Sequence, residues 1–119
     1  MNIRAAKSAE AIESSVHIYS EIKELESLNL SKGELAYVED SAKDEAWKIS
    51  KINRFPAFLY LVKVSSKKLA KEQFQEKLRM EGVKCFKMLA SQKAKAVTVS
   101  SLSADENAYY LAEGLALGA

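Results

Sequence analysis

AFLYLVKV, residues 57–64, is the most apolar run of the chain. Phe58, Leu59, Tyr60, Leu61 and Val62 follow one another almost without a polar break, which predicts a central strand covered on both faces. The only proline, Pro56, stands just before the run, where it can open a strand but could not sit in the middle of one. Beyond the run, Ser65 and Ser66 end the strand and cap a long helix over 67–92. Leu69, Phe74, Leu78, Cys85, Phe86 and Leu89 recur at steps of mostly three and four, so they share one face of that helix. Gly82 lies on the same stripe and predicts a close approach of the helix to the sheet. KAVTVSS, 95–101, then reads as a short β-branched strand. Strand, long helix and strand make a βαβ unit, whose two strands run parallel.

Upstream, AWKISKI (46–52) sets Trp47 and Ile49 against Lys48 and Ser50, a half-exposed strand in which Ile52 breaks the register. The connection Asn53-Arg54-Phe55-Pro56 is short, so this strand pairs antiparallel with 57–64. Ser31-Lys32-Gly33-Glu34 is a capping-box pattern. It opens a helix that runs to about Lys43, with Leu35 and Val38 inward and Leu30 as a hydrophobic staple. Residues 21–30 fit either helix or strand. VHIYS (16–20) reads as a strand with Val16, Ile18 and Ser20 on one face and His17 and Tyr19 on the polar one. Residues 7–15 read as a loop, and 2–6 as a short first strand. The pattern predicts an α/β fold: a mixed sheet of four to six strands flanked by about three helices, in layers.

Length and charge narrow the function classes. The chain has 119 residues, one domain's worth, with 18 Lys and Arg against 16 Asp and Glu. A net charge of +2 offers little electrostatic drive toward nucleic acid or an acidic membrane. No apolar run is long enough to span a bilayer, and the N-terminal residues lack a secretory signal's apolar core. One cysteine excludes an internal disulfide. These features predict a cytoplasmic protein.

The catalytic inventory is thin. His17 is the only histidine, with no second histidine or cysteine nearby to complete a zinc site or a nucleophile–base pair. Cys85 falls on an apolar stripe and reads as a buried small hydrophobe. Gly33, Gly82, Gly114 and Gly118 form no phosphate-binding loop. The carboxylates Glu21, Glu24, Glu26, Glu39, Asp40, Asp44 and Glu45 read as solvated surface. Lys67, Lys68, Lys71 and Lys77 make a mild basic face interleaved with Glu72 and Glu76. No catalytic residue, cofactor ligand or metal ligand is assigned.

The last stretch is SADENAYYLAEGLALGA, 103–119. Ala108, Leu111, Ala112 and Leu115 fall at helical spacing, and Ser103 with Glu106 forms a capping box. The stretch closes on Gly114-Leu115-Ala116-Leu117-Gly118-Ala119 without the polar or basic residues that usually stop a helix. It reads as though it led into something larger.

Together, FLYLVKV, the helix carrying Leu78-Arg79 and Gly82, AVTVSS and the run Ala112-Glu113-Gly114-Leu115-Ala116-Leu117-Gly118 resemble the N-terminal domain of the cytosol (leucyl) aminopeptidases. The resemblance covers about residues 45–119. It implies a macro-domain-like α/β domain without catalytic residues, preceding a C-terminal peptidase domain. That domain would hold two divalent metal ions, zinc or manganese, and release N-terminal amino acids from peptides. It implies a hexameric parent in which Glu113, Gly114, Leu117 and Gly118 belong to an inter-domain connector, with Leu117 exposed or covered by a neighbour. Val64-Ser65-Ser66-Lys67 replaces the family's glycine-rich turn. Two alternatives stand beside this reading: a free-standing macro-like ligand-binding module, against which the missing phosphate loop speaks, and a nucleic-acid-binding accessory domain, against which the charge balance speaks.

Overall fold

The computed structural model describes residues 2–5, 14–54, 57–91, 96–102, 104 and 106–118. Among these residues five strands form one sheet: β1 (Asn2–Ala5), β2 (Ser14–Tyr19), β3 (Lys48–Arg54), β4 (Ala57–Lys63) and β5 (Ala96–Ser101). Their spatial order is β1-β5-β2-β4-β3. All neighbours are parallel except β3 and β4, which pair antiparallel from Lys48↔Lys63 to Arg54↔Ala57. The fold is α/β, with helices α1 (Lys32–Ala42), α2 (Lys71–Ser91) and α3 (Glu106–Gly118) and a 3-10 helix at Ile22–Leu28.

The pleat decides which side chains meet which helix. On one face Val16, Ile18, Tyr60, Val62, Val97 and Val99 pack with Leu78, Cys85 and Leu89 of α2 and Ala108, Leu111 and Leu115 of α3. On the other, Tyr19, Ile52, Leu59 and Leu61 pack with Leu25 of the 3-10 helix and Val38 of α1. Each such Val or Leu, fully withdrawn from water, contributes roughly 1.5–3 kcal/mol. Burial on both faces explains the unbroken apolar run of β4.

The strand at 57–64 and its antiparallel partner lie where the sequence places them. The parallel relation of β4 and β5 also holds, but β2 stands between them and pairs with both. Ile52 does not break the register of β3. The ladder is continuous, with Ile49 toward α2 and Ser50 and Ile52 buried toward α1. Ser50 is held there by the Ser41 hydroxyl of α1, 2.8 Å away.

The helix starts divide. Ser31 caps α1 as the pattern requires: its Oγ accepts from the Glu34 N–H at 3.1 Å, and Glu34 Oε1 accepts from the Ser31 N–H at 2.9 Å. Ser65 and Ser66 do not cap α2. Lys67 and Lys68 form a turn, with Lys68 left-handed (φ 63°), and the helix begins at Lys71. Gln73 reaches back to the Ala70 N–H at 2.8 Å in their place. The ambiguous stretch 21–30 becomes the 3-10 helix, entered through Glu24 Oε1, which accepts the Ser20 N–H at 2.8 Å, and left through Asn29 at φ 53°. The expected cap at Ser103, residues 7–13 of the expected loop 7–15 and the Phe55-Pro56 connection lie outside the described residues. Ser14 and Ser15, placed in that loop by the sequence, instead open β2, where Ser14 pairs with Val97 and Ser15 with Thr98 and Leu59.

Candidate functional site: the crossing of α2 and α3

Two of the four closing-helix residues singled out by the sequence, Glu113 and Gly114, lie where α3 meets α2. Gly82 of α2 faces the α3 backbone at Leu111, Gly114 and Leu115, and Gly114 faces the α2 backbone at Arg79. Both glycines are buried. The close approach expected of Gly82 is therefore real, but its partner is α3 and not the sheet. The lack of a side chain on either helix lets the two backbones touch.

Beside this contact Arg79 Nε donates to Glu113 Oε2 at 2.7 Å, and Arg79 Nη1 donates to Glu76 Oε2 at 3.3 Å. The guanidinium also lies over the Tyr110 ring, 5.2 Å from its centroid. The hydrogen bond to Glu113, ahead of the other contributions, holds Arg79 above its ordinary pKa. Arg79 thus ties the two helices together at the edge of the glycine contact. Leu117 projects from α3 with 74% of its surface exposed, and Gly118 is the last residue of the helix. Of the four connector residues, Glu113 and Gly114 engage α2 within this domain, while Leu117 faces outward.

His17 sits elsewhere, on the opposite face of the sheet, and corrects the sequence reading. It is buried, not on a solvated face, because β2 lies between β4 and β5. Ser100 Oγ lies 2.6 Å from its Nδ1 and Ser15 Oγ 3.1 Å from its Nε2. Burial, with Arg54 adding positive charge nearby, brings its pKa down to about 4, so the imidazole is neutral between two hydroxyls. Ser100 is itself inaccessible. The cluster satisfies the polar atoms of a buried strand.

Cys85 is buried on the α2 stripe, as its spacing predicts, and burial pushes its thiol up to about 12. Nearby Glu81 is buried too, which no sequence signal marks, and its carboxylate takes Lys84 Nζ at 3.2 Å. Among the described residues no group of three or more His, Cys, Asp or Glu side chains converges as a metal ion would need. Nor is any helix among them long and apolar enough to cross a membrane.

Comparison of the chain with protein families, with characterised proteins and with solved structures finds no match in any of the three.

Proposed function

We propose that the chain is a non-catalytic, macro-domain-like N-terminal domain of a leucyl-aminopeptidase-like protein, acting in the cytoplasm. Its role is to support oligomer assembly and to place a C-terminal two-metal peptidase domain that releases N-terminal amino acids. One observation carries the reading. The residues of the resemblance, Arg79 and Gly82 on one side and Glu113 and Gly114 on the other, meet in a single interhelical contact built from an ion pair and two glycines. Residues far apart in sequence and chosen by pattern alone share one structural task, as parts of one motif should. The layered α/β architecture and the exposed Leu117 at the end of α3 fit the same reading.

The metal ions belong to the other domain in this reading. They would polarise a peptide carbonyl and activate water there. This chain contributes position only: α3, fixed on α2 through Gly82 and Gly114, sets the direction in which the polypeptide leaves the sheet.

The test compares the 119-residue chain with the complete product of its gene, using leucine p-nitroanilide with and without added zinc or manganese. Metal-dependent release by the longer protein and none by the chain alone is the expected result. A gene product that ends at Ala119, or release by this chain alone, would overturn the proposal.

A further inference from the structure

We propose that the free edge of β3 accepts an added strand from an extended acidic peptide. The inference rests on the sheet and not on the aminopeptidase reading. Among the described residues β3 has one neighbour, β4, so every second backbone N–H and C=O along Lys48–Arg54 points away from the sheet. Seven residues in unbroken register form a continuous template, the kind of edge that takes a further strand through main-chain hydrogen bonds.

The side chains at this edge say which strand fits. Toward α2, Ile49 and Phe58 are only partly buried, and Trp47 stands at the strand's entrance in the same condition. Ile49, on β3 itself, offers apolar surface to an incoming chain; the Phe58 ring lies one strand in, beneath Lys51 Nζ, and the Trp47 ring packs against Phe74 with Lys77 over it. The edge is also basic. Lys48 is exposed, and Lys51 lies with its Nζ 5.0 Å from the Phe58 ring centroid. Neither has a carboxylate partner among the described residues, whereas Arg54 is engaged by Glu34 at 2.9 Å.

That charge pattern disfavours a second copy of this chain in the register centred on Lys51. Symmetric antiparallel pairing of two β3 edges would set Lys51 against Lys51 and Lys48 against Arg54, and like charges directly opposite are unfavourable. A single-stranded nucleic acid would meet the lysines but has no peptide groups to complete the ladder. An extended peptide with acids three residues apart satisfies both demands. Such acids alternate faces as Lys48 and Lys51 do, and the residues between supply the backbone bonds and the apolar contact.

The probe is a blocked heptapeptide, Thr-Glu-Val-Thr-Glu-Val-Thr, beside the same peptide with both Glu replaced by Lys and beside an oligothymidylate of equal length. Amide hydrogen exchange and nitrogen–proton spectra of the 119-residue chain are the readout. The acidic peptide should slow exchange at alternate β3 amides. The lysine peptide should bind at least about tenfold more weakly. The double variant Lys48→Glu/Lys51→Glu should reverse the preference, and the single variant Lys48→Glu, at an exposed side chain, repeats the test with less risk to the fold. Reversal distinguishes a docking role from a structural one. Absence of slowed β3 amides, equal binding of both peptides, the same slowing by oligothymidylate, or slowing that rises with protein concentration alone would each overturn the proposal.

Discussion

Gly82 and Gly114 touch backbone to backbone where α2 meets α3. A Cβ on Gly82 would stand 2.9 Å from the Gly114 Cα, and one on Gly114 would stand 2.7 Å from the Arg79 carbonyl carbon. Neither obstacle is the movable tip of a side chain, so a methyl group must push the helices apart. Gly82→Ala and Gly114→Ala should each destabilise the domain by about 2–3 kcal/mol, read from urea unfolding midpoints. Gly33→Ala is the control. It faces open space on α1, and there the gain in helix propensity should stabilise by about 0.5–1 kcal/mol. Equal small effects at all three glycines would mean that the crossing is not tight.

Ser31 is the clearest local determinant of α1. Its hydroxyl takes the Glu34 N–H, Glu34 returns the bond to the Ser31 N–H, and the same carboxylate holds Arg54 of β3 through two hydrogen bonds of 2.9 and 3.2 Å. Ser31→Ala should cost about 1 kcal/mol, and Ser31→Gly only a few tenths. The alanine variant should also lose order at Arg54, seen as broadened guanidinium signals in nuclear magnetic resonance. A helix start indifferent to Ser31→Ala would show that tertiary packing alone sets the boundary.

These two sites mark how far the sequence can be read. The capping box is local, so four residues announce it, and the apolar length of β4 announces burial on both faces. What the sequence hides is non-local. VHIYS alternates like a half-exposed strand, yet β2 sits in the middle of the sheet because both β4 and β5 flank it. The hydroxyl that settles His17 comes from Ser100, 83 positions away. Ile52 looks out of register only if one face of β3 is assumed to be wet; α1 covers that face. Gly82 announces a close approach but not its partner, since strand and helix backbones would both need the missing side chain. The α2–α3 contact was legible as a set of residues and illegible as a place.

Cys85 should be inert in the folded chain. It is fully buried, and withdrawal from water, with Glu81 adding to it, raises the thiol to about 12. At neutral pH almost none is thiolate, and only the thiolate attacks a disulfide reagent. Ellman's reagent should therefore react with the native protein at the rate of unfolding and with the urea-unfolded protein at once. Fast reaction of the native chain would place the thiol in a more open or electropositive setting than α2 provides.

His17 should give the domain an acid-side loss of stability that begins well above the carboxylate range. In the unfolded chain the imidazole titrates near 6.5; in the fold, burial first and Arg54 second bring it to about 4. Above 6.5 it is neutral in both states and its contribution is complete. As the pH falls below 6.5 the unfolded chain gains a proton that the folded one refuses, so stability declines until about pH 4, where both are charged. The interval corresponds to about 3 kcal/mol. Glu34 acts in a lower window: the Arg54 hydrogen bond, then the Ser31 backbone, hold its carboxyl at about 2, so its contribution is present above 4.5 and lost as the pH falls through 2. Urea unfolding between pH 7 and pH 5 thus spans the window of the histidine, the only one in the chain, and stays above that of Glu34. His17→Gln, which keeps hydrogen-bonding groups between Ser15 and Ser100, should flatten the dependence in that range. A wild-type profile already flat from pH 7 to pH 5, or an imidazole resonance titrating near 6.5 in the folded protein, would show that the cluster around His17 is open to water.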